Sequence, residues 1–206
     1  MNKTTRTVLI GVVGVAIVAA LGWFVVLPRL APSVVPYMFH GQTIQSDQAA
    51  PSVELESADG TVRLSDYEGE VVVLYFGYTF CPDVCPITLS KLDRAMDILG
   101  DKAEDVQVIM ISVDPARDTP EMLKEYVAHF NEDFIGITGD PNSIDRIATT
   151  YGVYYEAEEG SEATGYLVNH TATVMVIDRD GYMKLVLPFE GTAEDIAADI
   201  DFFVSR

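Results

Sequence analysis

Apolar and polar positions along this chain change period several times, and each change predicts an element. Val8 to Leu27 is uncharged and almost wholly apolar, and about 20 such residues span a bilayer as a helix. Beyond it no period holds: Pro28, Pro32, Pro36 and Gly41 punctuate small polar residues as far as Ala50. Val53-Glu54-Leu55 and Thr61-Val62-Arg63-Leu64 flank Asp59-Gly60 and predict a hairpin with a glycine turn. Val71 to Phe76 is a continuous apolar run, which marks a buried strand. Ile87, Leu89, Leu92, Met96 and Leu99 then recur at helical spacing, with Pro86 suited to the first helical position. Val106 to Val113 reads as a second buried strand. Asp118-Thr119-Pro120-Glu121 starts a helix that runs to about Phe130, with Asp118 as its cap.

The same reading continues to the C-terminus. Phe134 to Thr138 is a short strand, and Asp140-Pro141 opens a helix whose apolar side is Ile144, Ile147 and Ala148. Val153 to Tyr155 suggests an edge strand. Glu156 to Gly165 reads as an acidic, solvated loop, and Tyr166 to Thr171 as a lead into the strand Thr173 to Ile177. Arg179-Asp180-Gly181 turns into Met183 to Leu187, and Thr192 caps a last helix ending near Phe203. The order is βαβαβαβ, a hairpin and a terminal helix. Alternation of this kind implies an α/β sheet with helices on its faces, joined by right-handed crossovers.

Charge sharpens the domain boundaries. Lys3 and Arg6 precede the apolar run and Arg29 follows it, so the short positive end should remain in the cytoplasm and the rest of the chain should cross. A cleaved signal peptide is the rival reading, but its apolar core is usually about 7–15 residues. Here the run is longer, and Leu21, Trp23 and Phe24 follow Ala19-Ala20. We therefore expect an uncleaved anchor over 1–29, a tether over 30–50 and a folded domain over 51–206. No Arg- and Ser-rich presequence is present, which points to a bacterial inner membrane with the domain in the periplasm. All 32 acidic residues lie beyond residue 46. Three of the 13 basic ones flank the apolar run, which leaves 10 against 32, a net of −22, in the remainder. A domain so acidic repels phosphate backbones, which excludes nucleic acid as a partner.

The candidate chemistry lies between the first buried strand and its helix. Both cysteines of the chain, Cys81 and Cys85, sit there at i and i+4. A thiol pair at a strand-to-helix turn is the arrangement of a thioredoxin-like fold, and a helix N-terminus favours the thiolate. A structural disulfide is the bland reading, but a bridge closing so short a loop would restrict the unfolded chain little. Two thiolates suit Cu(I), a soft ion. Zinc is disfavoured because a structural site wants four N or S ligands. Of the three histidines, His40 falls in the tether and reads as exposed, and His129 suits the C-terminus of its helix. His170 lies just before a central strand, at the sheet end expected for the cysteines. The residues alone leave a ligand role and an ordinary loop histidine both open.

Three stretches together resemble a known family. Phe80-Cys81-Pro82-Asp83-Val84-Cys85-Pro86, Ser112-Val113-Asp114-Pro115-Ala116-Arg117-Asp118-Thr119 and Asn169-His170-Thr171 are similar to those of the SCO/SenC copper proteins. Those are membrane-tethered, thioredoxin-like proteins of cytochrome c oxidase assembly. The resemblance implies copper ligands at Cys81, Cys85 and His170, with Asp114 as an accessory residue. It implies a copper metallochaperone, a carrier rather than an enzyme, that holds Cu(I) and Cu(II). Its partner would be the cytochrome c oxidase subunit with the dinuclear copper site, alongside other periplasmic copper chaperones or thiol reductants.

Two other readings stay open. The cysteines could reduce the thiols of the partner's copper site, as a thiol–disulfide oxidoreductase. Against a general thioredoxin, the spacing is Cys-x3-Cys and no Trp precedes Cys81; against a peroxiredoxin, Tyr78 stands where a Thr is usual. A copper or redox sensor that signals through the anchor is the third.

Overall fold

The apolar run of the first core strand becomes β4, Val71–Gly77, and every residue in it is buried. A strand covered on both faces needs no polar alternation. The computed structural model describes residues 37–45, 48–159 and 165–206, and the compact unit containing β4 runs Phe39–Arg206. β4 pairs in parallel with β5, Val106–Ser112, and antiparallel with β9, Val174–Ile177. β6, Ile135–Ile137, extends the parallel side, while β10, Met183–Leu187, and β1, Gln42–Thr43, extend the other. The six-stranded order is β1-β10-β9-β4-β5-β6. β2, Glu54–Ser57, and β3, Gly60–Arg63, form the expected hairpin. This is the mixed α/β architecture that the alternating pattern implies.

Four helices are described. α1, Val84–Leu99, buries Leu89, Leu92 and Met96 and packs against α4, Ala193–Val204. Full burial of a Leu side chain contributes about 1.5–3 kcal/mol. α1 begins earlier than the apolar spacing suggests, so Pro86 is its third residue and Cys85 lies inside its first turn. Proline is tolerated there because the first four N–H groups of a helix have no intrahelical partner. α2, Pro120–Ala128, is capped by Thr119, whose Oγ1 accepts from the Met122 N–H at 3.3 Å. Asp118 is therefore not the cap. Its carboxylate turns inward and accepts from the Thr79 N–H at 3.1 Å, Thr79 Oγ1 at 2.5 Å and Ser112 Oγ at 2.6 Å. α3, Pro141–Thr150, starts from Asp140, whose Oδ1 accepts from the N–H groups of Asn142 and Ser143.

Two stretches read as irregular have regular partners. β7, Tyr155–Glu158, and β8, Leu167–His170, form a separate ribbon with Tyr155 opposite His170 and Glu158 opposite Leu167. The expected edge strand thus begins two residues later, and Glu156–Glu158 belong to it instead of the acidic loop; residues 160–164 lie outside the described residues. The other stretch falls within the segment read as a tether. There Gln42 and Thr43 pair with Val186 and Leu185, and Phe39 packs its ring against Phe202 and Phe203. His40 is not idle: its Nδ1 lies 3.1 Å from the fully buried Asp199 carboxylate, which also accepts from the N–H groups of His40 and Gly41. Among the described residues no helix is long and apolar enough to cross a membrane. The Val8–Leu27 run lies outside them.

Candidate metal centre

Topology explains why distant residues converge. β4 and β5 are parallel, so the loops that follow both strands open at one end of the sheet. That end, beyond the carboxyl ends of parallel strands, is where α/β sheets hold their ligands. β9 runs antiparallel to β4, with Val174 opposite Tyr75. The start of β9, and hence β8 just before it, reaches the same end. Cys81 comes from the β4–α1 turn, Cys85 from the first turn of α1, Asp114 from the β5–α2 loop and His170 from the last position of β8. His170 is a strand residue, not the loop residue its neighbours suggested.

The ligand atoms of Cys81, Cys85 and His170 all lie within 4.8 Å of one another. Both cysteines are free thiols; Cys85 is fully buried and Cys81 partly so. Asp83 occupies the N-cap position of α1 but makes no side-chain cap. Cys81 Sγ instead accepts from the Cys85 N–H at 3.4 Å. Its thiol is lowered from an ordinary 9.0 to about 3, chiefly by the Cys85 thiol hydrogen bond, with further help from His170 and the N–H groups of Asp83 and Cys85. Burial opposes this shift and loses. Cys85 moves the other way, because burial penalises its anion and the neighbouring Cys81 anion repels a second charge. The pair is one thiolate beside one thiol.

His170 Nε2 lies 3.4 Å from Cys85 Sγ. Its Nδ1 lies 3.2 Å from the Thr171 carbonyl, an acceptor that requires the proton on Nδ1. With Nδ1 so engaged, Nε2 is the nitrogen left to face the sulfurs and to reach a metal. The ring sits edge-on to Tyr78 and Tyr75, with centroids 5.8 and 6.2 Å away. His129, by contrast, points Nδ1 at the Glu125 carbonyl at 2.5 Å and closes its own helix. Asp114 contributes no donor to the Cys–Cys–His group. Its two oxygens are taken by Arg117 Nε and Tyr166 Oη, each at 2.5 Å.

Two supporting residues lie just ahead of the first motif stretch and gave no sign of their roles in the sequence. Tyr78 Oη accepts from the Val168 N–H at 3.2 Å, across the gap between the cysteine loop and β8. Gly77 ends β4 directly beneath Cys85, where an added Cβ would stand 3.0 Å from Sγ. Only the folded chain brings either pair together.

Two sulfurs and one imidazole favour Cu(I), and the nitrogen also admits Cu(II). A closed zinc site wants a fourth N or S donor, and the described residues group only these three.

The folded unit has relatives among known proteins. A model of the SCO1/SenC family matches residues 42–205. The SCO2-like protein RP587 of Rickettsia prowazekii is 37% identical over 134 residues, which is 64% of this chain and 65% of that protein. The chain therefore matches just under two thirds of that relative's length. The solution structure of apo Sco1 from Thermus thermophilus superposes with a TM-score of 0.73 at 38% identity, covering 82% of this chain and 98% of its own. Copper-bound ScoI of Bradyrhizobium japonicum gives a TM-score of 0.69 at 34% identity, covering 76% and 99%.

Proposed function

Because this chain belongs to the SCO1/SenC family, we propose that it is a copper metallochaperone, binding copper as cargo through Cys81, Cys85 and His170. Its recipient is the dinuclear copper site of a cytochrome c oxidase subunit. The observation that carries the reading is the convergence of two sulfurs and one imidazole nitrogen within 4.8 Å at one sheet end. Copper in B. japonicum ScoI, at 34% identity, supports the choice of metal. We further propose that Val8–Leu27 anchors the chain in a bacterial inner membrane, with the folded unit in the periplasm.

Each donor has a distinct part. Cys81, ionised and partly exposed, meets the incoming Cu(I) first. Cys85 gives up its proton as its sulfur joins, so loading releases protons and weakens in acid. His170 presents Nε2 and extends the site to Cu(II). Three donors near the surface can yield the ion to a recipient that offers more.

The asymmetry of the two sulfurs supports a second reading, thiol–disulfide exchange with the recipient. Cys81 thiolate would attack a disulfide of the recipient and release one of its sulfurs as thiolate. Cys85 would then attack the mixed disulfide at Cys81, releasing the second sulfur. The recipient gains two electrons and the Cys81–Cys85 pair becomes a disulfide. Anaerobic titration of the reduced full-length protein with Cu(I), scored by free-thiol count, tests the copper reading: both thiols should disappear as a single copper ion binds. A deletion strain then separates roles. Loss of oxidase activity restored by added copper supports delivery, whereas restoration only by added dithiol favours exchange.

A further inference from the structure

The Asp114–Thr119 stretch supplies no donor to the metal centre, yet its arginine touches every piece of chain that builds it. The Arg117 side chain is 17% exposed. Its Nε donates to Asp114 Oδ2 at 2.5 Å, and its Nη1 donates to the Tyr166 carbonyl at 2.9 Å. The guanidinium carbon lies 3.7 Å from the centroid of the Tyr166 ring and 4.7 Å from that of Phe80. Tyr166 Oη closes the triangle by donating to Asp114 Oδ1. One planar cation therefore joins the residue before Cys81, the β5–α2 loop and the foot of β8, four residues ahead of His170.

We propose that Arg117 is a positioning residue for His170, clamping the β7–β8 ribbon onto the cysteine loop. The inference rests on the reading that His170 completes the copper site. The ribbon needs such a clamp because it is not hydrogen-bonded into the six-stranded sheet, and an isolated two-stranded hairpin is marginal in water. β7 is mostly exposed and carries Glu156 and Glu158, so little apolar burial holds it down. β8 also meets the cysteine segment through the Tyr78–Val168 hydrogen bond and the approach of His170 to Tyr78 and Cys85, and it buries Val168 in the core. Arg117 adds one bond from Nε to Asp114 and one from Nη1 to the Tyr166 carbonyl, and lies against two rings. Lysine matches the charge but neither the fork nor the stacking. Asp114 acts through Arg117: it fixes the guanidinium plane and takes the Tyr166 hydroxyl.

The test compares Arg117→Gln and Arg117→Lys with the parent, as full-length protein in detergent, with two readouts. In the metal-free reduced protein, hydrogen exchange should accelerate in the peptide spanning Leu167–Thr171 and stay unchanged in β4 and β5. In the loaded protein, Cu(II) affinity should fall about 10–100-fold, the usual cost of losing a residue that orients a ligand, while Cu(I), held by two thiolates, changes far less. Arg117→Lys should not rescue. Unchanged exchange at Leu167–Thr171 with unchanged Cu(II) affinity in both variants overturns the proposal. So does a uniform rise in exchange across the core with equal loss of both oxidation states, which is a general folding role. His170→Ala runs alongside: if it leaves Cu(II) binding intact, the ligand reading fails, whereas exchange in the metal-free protein still judges the clamp.

Discussion

Gly77 and Cys85 meet in a space that admits no side chain at residue 77. A Cβ there would stand 2.8 Å from Tyr75 Cε1, 3.0 Å from Cys85 Sγ and 3.2 Å from Met110 Cε. Tyr75, Met110 and Cys85 are all fully buried, so relieving the contacts must shift packed side chains, the Cys85 sulfur among them. Gly77→Ala should therefore push Cys85 away from His170 Nε2. We expect a stability loss of about 1–3 kcal/mol from overpacking, where an unhindered Gly→Ala would gain a few tenths. Chemical denaturation and a copper titration check this together. A variant as stable as the parent, with unchanged copper affinity, would show that the pocket gives way.

The unequal thiols predict unequal chemistry. Cys81 is anionic down to about pH 3 and partly exposed, whereas Cys85 is a buried thiol. Iodoacetamide should label Cys81 first, at a rate nearly flat across neutral pH, since the thiolate fraction is already saturated. The sign on stability follows: between about 3 and 9.0 the folded Cys81 holds fewer protons than the unfolded one, so its contribution grows with pH. Cys81→Ser should flatten the pH dependence in that window. Oxidation to the Cys81–Cys85 disulfide removes both sulfur donors, and the oxidised chain should load no copper. Peptide mapping and metal analysis read these out, and preferential labelling of Cys85 would reverse the assignment.

How far the sequence carried depended on whether the signal was local. β4 and α1 were legible because a continuous apolar run and a helical stripe each survive without tertiary context. Thr192 and Asp140 were legible as caps for the same reason. Asp118 was misread because Asp is as good an N-cap as Thr, and only the fold shows its carboxylate turned to Thr79 and Ser112. β1 was missed because two residues carry no period, and their partners in β10 lie 144 and 142 positions away. At the site, Cys81 and Cys85 announced themselves by type and spacing. His170 needed the resemblance, since its approach to Cys85 depends on β9 running antiparallel to β4. Arg117 had only its place in a motif stretch and Tyr78 only its nearness to one, as their partners Tyr166 and Val168 sit two and three α-helices further along the chain.

The N-terminal run sets a topological expectation. Val8–Leu27 is uncharged, with Lys3 and Arg6 on its short side, so the chain should span once and keep the metal centre outside the cytoplasm. A C-terminal reporter that is active only after export should report activity. A fusion active only in the cytoplasm would defeat the anchor reading, as would a mature protein whose N-terminus begins beyond Leu27.

The three histidines now carry three different expectations. His170→Ala should leave Cu(I) bound but loosened, because two thiolates satisfy a soft ion, and should largely destroy the Cu(II) site, which wants nitrogen. His129 is committed to the Glu125 carbonyl at the end of its helix, so His129→Ala should leave both oxidation states nearly untouched. His40 differs from both. Its ring lies between Asp195 and the fully buried Asp199, so its loss falls on stability, not on copper. Asp199 keeps the N–H groups of residues 40 and 41 and loses one side-chain partner, a change worth about 1–3 kcal/mol for a buried group. Denaturant unfolding of His40→Ala should show that loss while its Cu(II) spectrum stays parental. The decisive comparison is spectroscopic. If His170→Ala keeps the sulfur-to-copper charge-transfer bands and the nitrogen hyperfine pattern, while His40→Ala or His129→Ala loses them, then the nitrogen ligand has been misassigned. In that event the 3.4 Å approach of Nε2 to Cys85 would be a packing contact within the metal-free site.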